Sequence, residues 1–575
     1  MSERAPAPLP RWRLPAVLGL LSVLVCLLVW RLLTLQVLDT ERGYEFLQGQ
    51  GDARTNRTEV IPAHRGQILD RNGEPLAIST PVVSIWANPR EAEGGRERWP
   101  ELARLLGVKI SDLDNKLAYH GRQFVYLRRH LPPQEAEAVL AMKLPGVYGQ
   151  REYRRFYPAG EVTAHLLGFT DIDDRGQEGI ELAYNDYLSG TPGSKRVLKD
   201  LTGKIIREID APQPAKPGHD LVLSIDLRLQ YLAYRELRES LQQMGASAGS
   251  VVMLDCHTGE VLAMANQPSF NPNNRNRVSA YMMRNRAMID LIEPGSTMKP
   301  LTMVAALESG KYTPTTPVDA SPGYIVVDGK TLKDPVNYGM INITRIITKS
   351  SQVGMTRVAL ELDEKSVVNV FQRFGLGSGT ETGFPGEQHG LLPMRNRWSD
   401  IERANFAFGY GLQVTPLQLA RAYAVFASNG KLEPVSLLRR DEPPKGEQVI
   451  APGVAQQVVE MLKTVTGPAG TGKRARIPAY TVAGKTGTVH KVGIHGYEER
   501  YHSLFVGFAP ATAPRIVTVV VVDDASLGRY HGGDVAAPVF GKVVGGAMRL
   551  LSIAPDDTGQ SAIAQKTAPS GKGPA

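Results

Sequence analysis

Hydrophobic positions change their pattern several times along the chain. From Leu14 to Trp30, seventeen consecutive residues carry no charge. As a helix rising ~1.5 Å per residue they span ~26 Å, slightly short of a bilayer core. Apolar character resumes after Arg31 through Leu32, Leu33, Leu35, Val37 and Leu38. From about Asp39 to Lys216 short strand-like runs, such as Pro81–Trp86, alternate with loops, and helical segments fall near Trp99–Leu106 and Pro133–Met142. Ala211–Gly218, with three prolines, predicts a linker. Beyond it Leu221–Ile225 predicts a strand and Leu227–Met244 a helix. Ser250–Asp255 and Glu260–Ala265 flank Cys256-His257-Thr258-Gly259, a hairpin pattern. Ser503–Phe508 and Arg515–Val522 form another β pair. Val517–Val522 is all Val but for one Thr, which suits a buried strand, and Ala536–Leu551 predicts a helix. Strands framed by helices in this order give an α/β (α+β) class, with a sheet sandwiched between helices. The tail from 556 to 575 has no core to bury and is expected to be disordered.

Composition narrows the class. With 575 residues, 42 % hydrophobic and 22 % charged, more than one folded domain is expected. A net charge of +8 over this length does not compel a nucleic-acid partner. Two cysteines make no disulfide framework, and neither CxxC nor HExxH occurs, so no zinc site of those types and no other metal or cofactor is expected.

Charge sets the compartment. Arg4, Arg11 and Arg13 precede the apolar span, and Asp39, Glu41 and Glu45 follow it. The positive-inside rule places residues 1–13 in the cytoplasm, a single transmembrane anchor over 14–38, and the remainder outside. Trp30 to Gln36 lacks the small residues of a signal-peptidase site, and Val25 before Cys26 is too bulky for lipoprotein processing, so the anchor should stay uncleaved. Cys26 would then lie in the membrane, unable to pair with Cys256.

Three short segments could carry chemistry. Ser296-Thr297-Met298-Lys299 follows Glu293-Pro294-Gly295, a turn into a helix. On a helix, i and i+3 share a face, so Lys299 would sit beside the Ser296 hydroxyl. A serine needs such a base, and a lysine serves once burial or a positive neighbour lowers its pKa. The helix start also offers N–H groups to an oxyanion. Alone this signal is weak, since chance supplies about two Ser-x-x-Lys in such a chain. The other is Ser428-Asn429-Gly430-Lys431, where Asn-Gly favours a turn in a solvated loop. Lys485-Thr486-Gly487-Thr488 is the sole Lys-Thr-Gly, and on a strand edge it offers a charge, two hydroxyls and close backbone approach at Gly487. Lys349-Ser350-Ser351-Gln352 ends an apolar segment and by itself fits capping serines as well as chemistry.

Taken together, Ser-x-x-Lys, a Ser-containing element 54 residues on and Lys-Thr-Gly a further 135 on follow the order of penicillin-binding proteins and serine β-lactamases. With Arg65-Gly66, Asp70–Gly73, Arg155–Gly160, His165, Gly179-Ile180-Glu181, Phe408–Gly411 and Gly507–Pro510, the chain resembles class B penicillin-binding proteins of the septal FtsI type. The resemblance is to the penicillin-binding protein 3 group of pseudomonads and runs from the anchor to about residue 553. One departure stands out: the family's Ser-x-Asn is here Ser350-Ser351-Gln352. Ser269-Phe270-Asn271 has the letters but precedes Ser296, which is the wrong order.

The resemblance implies a peptidoglycan D,D-transpeptidase acting in septal cell-wall synthesis, a bacterial inner-membrane protein with its catalytic domain in the periplasm. Catalytic roles fall on Ser296, Lys299, Ser350 and Lys485, and substrate contacts on Gln352, Thr486, Gly487, Thr488, Phe408, Tyr410 and Tyr501. His490, Tyr530 and His531 are placed near the cleft rim, although solvated or packing roles suit them as well. Residues 39–215 would be a pedestal contacting a septal glycosyltransferase and divisome membrane proteins, and 216–555 the transpeptidase domain. The ligands would be stem peptides and β-lactams. Two other functions stay open at this point: a hydrolase (carboxypeptidase or β-lactamase), and a β-lactam sensor or division scaffold with weak turnover.

Overall fold

The computed structural model describes residues 12–36, 56–118, 121–199, 205–208, 213–493, 496–526 and 528–557. The expected tail beyond 557, the first eleven residues, 37–38 of the anchor, 211–212 of the linker and His495 lie outside them. The chain divides into two compact units, one of 1–64 with 190–218 and the other of 65–189 with 219–575.

The first unit contains the helix Arg13–Gln36 and a three-stranded antiparallel sheet, Asn56–Ile61, Gly193–Lys199 and Ile205–Glu208. At 24 residues the helix is ~36 Å long. Its leucines and valines are exposed on every side, from Leu14 to Leu33. A helix apolar all round and without a core to pack on has the length and chemistry to cross a membrane.

Among the described residues the second unit holds two five-stranded sheets and three two-stranded ones. In one five-stranded sheet, Pro75–Ala87 pairs with Val125–Leu131 and with Val147–Phe156. Helices Trp99–Leu106, Ile110–Leu117 and Pro133–Ala141 cover it through Trp99, Leu102, Leu106, Leu113 and Val139. Nearby, Glu181 takes Arg65 Nε at 2.8 Å and Arg155 Nε at 2.6 Å. A carboxylate with no exposure, forked between two arginines, ties segments more than a hundred residues apart.

The other five-stranded sheet is antiparallel throughout, in the order Val261–Gln267, Ala248–Asp255, Ile516–Asp523, Gly496–Ala509, Ala483–Gly493. Alternation divides the valine run: Val517, Val519 and Val521 face the helix Pro416–Ala427 and its neighbours, while Val520 and Val522 face helices Leu227–Met244 and Ala536–Leu550. Both faces are buried, so no polar period interrupts the strand. The expected sandwich is present.

Two local expectations need correction. The strand at 221–225 pairs as a strand only at Leu221–Val222, because Asp226 turns the chain and caps the next helix by accepting from Arg228 N. Ser428 is buried at the end of helix Pro416–Ala427 rather than solvated. Its hydroxyl donates to the carbonyls of Ala424 and Lys431, and the turn falls at Asn429 and Gly430.

Candidate active site

Four elements converge on one cleft. Ser296 lies in a short 3-10 turn, Gly295–Met298, which runs directly into the helix Lys299–Glu308. Two glycines let the surroundings close on this turn. Gly409 has φ +89°, and a Cβ there would fall 2.1 Å from the Gly295 carbonyl oxygen. At Gly487 a Cβ would come within 3.0 Å of Thr297 Cγ2 and 3.2 Å of the Pro294 oxygen. The Lys-Thr-Gly segment therefore rests against the serine turn, from the edge strand Ala483–Gly493. That segment lies within the strand.

Ser350 sits between the two lysines. Lys299 Nζ donates to Ser350 O at 2.6 Å and to Ser350 Oγ at 3.2 Å, and Lys485 Nζ donates to the same Oγ at 3.0 Å and to Thr486 O at 3.0 Å. Both bonds described for Lys299 Nζ thus go to Ser350 and not to Ser296. Ser350 ends the helix Ile343–Lys349 in the left-handed region, φ +58°, and Ser351 caps the helix Gln352–Glu361. The capping function and the chemical position coexist in this segment, one on each serine.

Both ammonium groups are fully buried. Burial pushes the Lys299 amine down to about 7, against the opposing pull of the Asp334 carboxylate. Burial and then the like charge of Lys299 hold Lys485 well below the ordinary lysine range. A lysine held at about 7, as Lys299 is, gives and takes protons near neutrality.

The remaining predicted residues have the following contacts. Phe408 is buried with its ring 5.8 Å from Lys299 Nζ, and Tyr410 lies edge-on between Phe408 and Tyr497. Thr486 Oγ1 is 2.8 Å from Thr471 Oγ1, and Thr488 Oγ1 accepts from Gly532 N at 3.0 Å. Gln352 is half-buried, with its backbone N–H on Asp334. Tyr501 stacks on Tyr530 at 4.2 Å, with His490 4.5 Å from Tyr501 and His531 4.5 Å from Tyr530, so these four form one aromatic cluster. The rejected Ser269-Phe270-Asn271 is elsewhere: the Ser269 hydroxyl donates to Glu161 O.

Some participants were not legible in the sequence. Asp334 accepts from the Ser351 hydroxyl, and Glu293 accepts from Gly411 N at 2.8 Å and from the Tyr497 hydroxyl at 3.0 Å. Neither carboxylate lies in a spacing pattern that marks it. The position of Glu293 just before Pro294-Gly295 was the one available hint.

Residues 249–545 match the family model of the penicillin-binding protein transpeptidase domain, and 60–223 that of the penicillin-binding protein dimerisation domain. The chain belongs to the penicillin-binding protein transpeptidase family. This penicillin-binding protein is 42 % identical to the peptidoglycan D,D-transpeptidase FtsI of Escherichia coli over 552 residues, 95 % of this chain and 93 % of that one. It is 44 % identical to the probable peptidoglycan D,D-transpeptidase PbpC of Pseudomonas aeruginosa over 529 residues, 92 % and 93 % of the two chains. Among solved structures it resembles penicillin-binding protein 3 of Mycobacterium tuberculosis complexed with aztreonam, with a TM-score of 0.67 and 27 % identity over 86 % of this chain and 98 % of that one. It also resembles the transpeptidase domain of Burkholderia pseudomallei penicillin-binding protein 3, with a TM-score of 0.54 and 38 % identity over 58 % and 97 %.

Proposed function

We propose that this penicillin-binding protein is a serine-type peptidoglycan D,D-transpeptidase that crosslinks stem peptides through an acyl-enzyme on Ser296. The observation that carries the assignment is the convergence of two fully buried lysines on one serine hydroxyl beside the Ser296 turn. Ser296 Oγ attacks the penultimate D-Ala carbonyl, and neutral Lys299 takes its proton. Ser350 and Lys485 pass a proton to the departing D-Ala amine. The backbone N–H groups of Ser296 and Thr488 face the oxyanion, and Thr486 and Thr488 hold the terminal carboxylate. An amine from a neighbouring stem then displaces the serine. No metal or cofactor enters these steps.

The test is to give the purified full-length protein a pentapeptide stem and an amine-bearing acceptor stem, and to follow both products by mass spectrometry. Crosslinked dimer with release of D-Ala is expected. Hydrolysed tetrapeptide alone would make the protein a carboxypeptidase, and penicillin acylation without either product would make it a sensor or scaffold.

Similarity to FtsI and the apolar helix support a septal, membrane-anchored enzyme with a cytoplasmic N-terminus and a periplasmic catalytic domain. On this view 39–215 form the pedestal that meets a glycosyltransferase and divisome membrane proteins, and 216–555 the catalytic domain. A reporter fused after Leu38 should be active outside the cytoplasm, and the full chain should stay with membranes after a salt wash. Recovery of a soluble periplasmic form lacking the first ~30 residues would refute the anchor.

Gln352 stands at the first position of helix Gln352–Glu361, in the place of the family's Asn. It keeps the amide but moves it by roughly 1.5 Å, one carbon–carbon bond, and adds a rotor to be frozen. Gln352→Asn should therefore raise the acylation rate of β-lactams bearing a side-chain amide several-fold, about 1 kcal/mol, and that of ligands lacking the amide by less. An unchanged or slower rate with the amide-bearing ligand would mean that the local backbone already aims Gln352 correctly.

A further inference from the structure

We propose that Asp334 is a positioning residue for acylation: it pins the Ser350–Gln352 turn and supplies a counter-charge to Lys299. This rests on Lys299 being the base for Ser296.

Asp334 directly follows the strand Lys330–Lys333, and its backbone N–H is fixed on Gly323 O at 2.9 Å. The carboxylate is 9 % exposed and spends both oxygens on one helix start. Oδ2 accepts from the Ser351 hydroxyl at 2.5 Å, and Oδ1 accepts from Gln352 N at 2.6 Å and Val353 N at 3.4 Å. An anion there is favoured twice, by the free N–H groups and by the positive end of the ten-residue helix.

What it holds is the residue just before. Ser350 adopts a left-handed conformation, which a residue other than glycine keeps only where its surroundings over-determine it. Upstream, Ser350 N bonds Ile347 O at 3.2 Å and Ser351 N bonds Ile346 O at 3.0 Å. Downstream, Asp334 clamps Ser351 and Gln352. The Ser350 hydroxyl is thereby presented to both lysines from a turn fixed on each side.

The second role is charge. Lys299 is faced by Lys485 from the edge strand, by the neutral Ser350 hydroxyl, by the Phe408 ring and by Asp334. The Asp334 carboxylate favours the charged form of the Lys299 amine, against its burial. Two buried lysines and one carboxylate hold one positive charge comfortably and two poorly. When Ser296 gives its proton to Lys299, Asp334 is the group that stabilises the charge formed there.

Substitution separates the two roles. An Asn amide can accept from Gln352 N and Val353 N and donate to Ser351 Oγ, so Asp334→Asn removes the charge and keeps the contacts. Ser351→Ala removes a contact and keeps the charge. Acylation of the full-length protein by fluorescent penicillin would be followed from pH 5 to 9. For D334N the acid limb should move down by about one pH unit, because the lost anion had favoured protonated lysine. Its plateau should fall roughly tenfold, because the lysine left is a weaker base. For S351A the plateau should fall while the limb stays. A D334N limb that does not move, or an S351A limb that moves equally, overturns the proposal. Asp334→Ser serves as a second neutral variant if D334N does not fold. Ser296→Ala, run alongside, separates the two layers: labelling that persists there overturns the nucleophile itself, whereas lost labelling with an unmoved D334N limb overturns only the role of Asp334.

Discussion

Ser296→Ala should abolish covalent labelling by penicillin and stem-peptide crosslinking together, while the protein remains folded. The substitution removes one oxygen from a 3-10 turn that is anchored by other atoms. Thr297 O accepts from the Tyr423 hydroxyl at 2.6 Å, Gly295 N bonds Gly409 O at 3.0 Å, and the Thr297 hydroxyl donates to Pro294 O at 2.7 Å. None of these involves the Ser296 side chain, so the turn should survive. Without the oxygen there is no atom on which an acyl group can form, and the lysines and Ser350 have nothing to activate. Ser428→Ala is the matched control, since it belongs to the chain's other Ser-x-x-Lys. Its hydroxyl is spent on carbonyls at a helix end, so its loss should cost about 1 kcal/mol of stability and leave labelling intact. Fluorescent penicillin on gels, with a melting curve for each variant, decides this. Labelling retained by a folded Ser296→Ala, or lost from a folded Ser428→Ala, would remove Ser296 as nucleophile.

The elements legible in the sequence are those whose pattern is local. The valine strand 516–523, the hairpin around Cys256–Gly259 and the helices 227–244 and 536–550 declare themselves through period and length, because each buries a fixed face. The three short motifs were legible as candidates because each packs its chemistry within four residues. Their convergence was legible only through the family resemblance, since nothing local says that Lys485 meets Ser350 across 135 residues. The i, i+3 argument for Ser296 and Lys299 placed both near the cleft, but the boundary between the 3-10 turn and the helix falls between them. Lys299 Nζ is instead drawn to Ser350, which offers two oxygens. Asp334 and Glu293 were missed for the same reason. Isolated acidic residues are common, and what distinguishes these two is burial against N–H groups and hydroxyls brought in by the fold. Ser428 shows the converse error, for the Asn-Gly turn was right but said nothing about the helix end that buries the serine before it.

Replacing Lys299 by Met should lower acylation by about 10²- to 10⁴-fold, the range for loss of a general base. It should do so without lowering the stability of the fold near neutral pH. Burial holds the Lys299 amine at about 7, so near neutrality about half of the side chains are free base. Wild-type acylation should therefore fall roughly tenfold per pH unit below 7, and Lys299→Met should lose that limb. The same lowered value fixes the sign of the stability effect. An unfolded lysine titrates near 10.4, so between about 7 and 10.4 the unfolded chain binds more protons than the native one. Wild-type stability should rise with pH through that window, and below it the full penalty of a charged buried amine applies. Methionine has similar length and no charge to desolvate, at the cost of a hydrogen bond to the Ser350 carbonyl; the Ser350 hydroxyl keeps its bond from Lys485. The melting temperature of Lys299→Met relative to wild type should thus be most favourable at pH 7 and below, and the difference should shrink as pH rises toward 10. Paired melting curves across that range, beside acylation rates, test both halves. A gap that widens with pH would mean that Lys299 is held as the ammonium form, and the neutral-base step would fall with it.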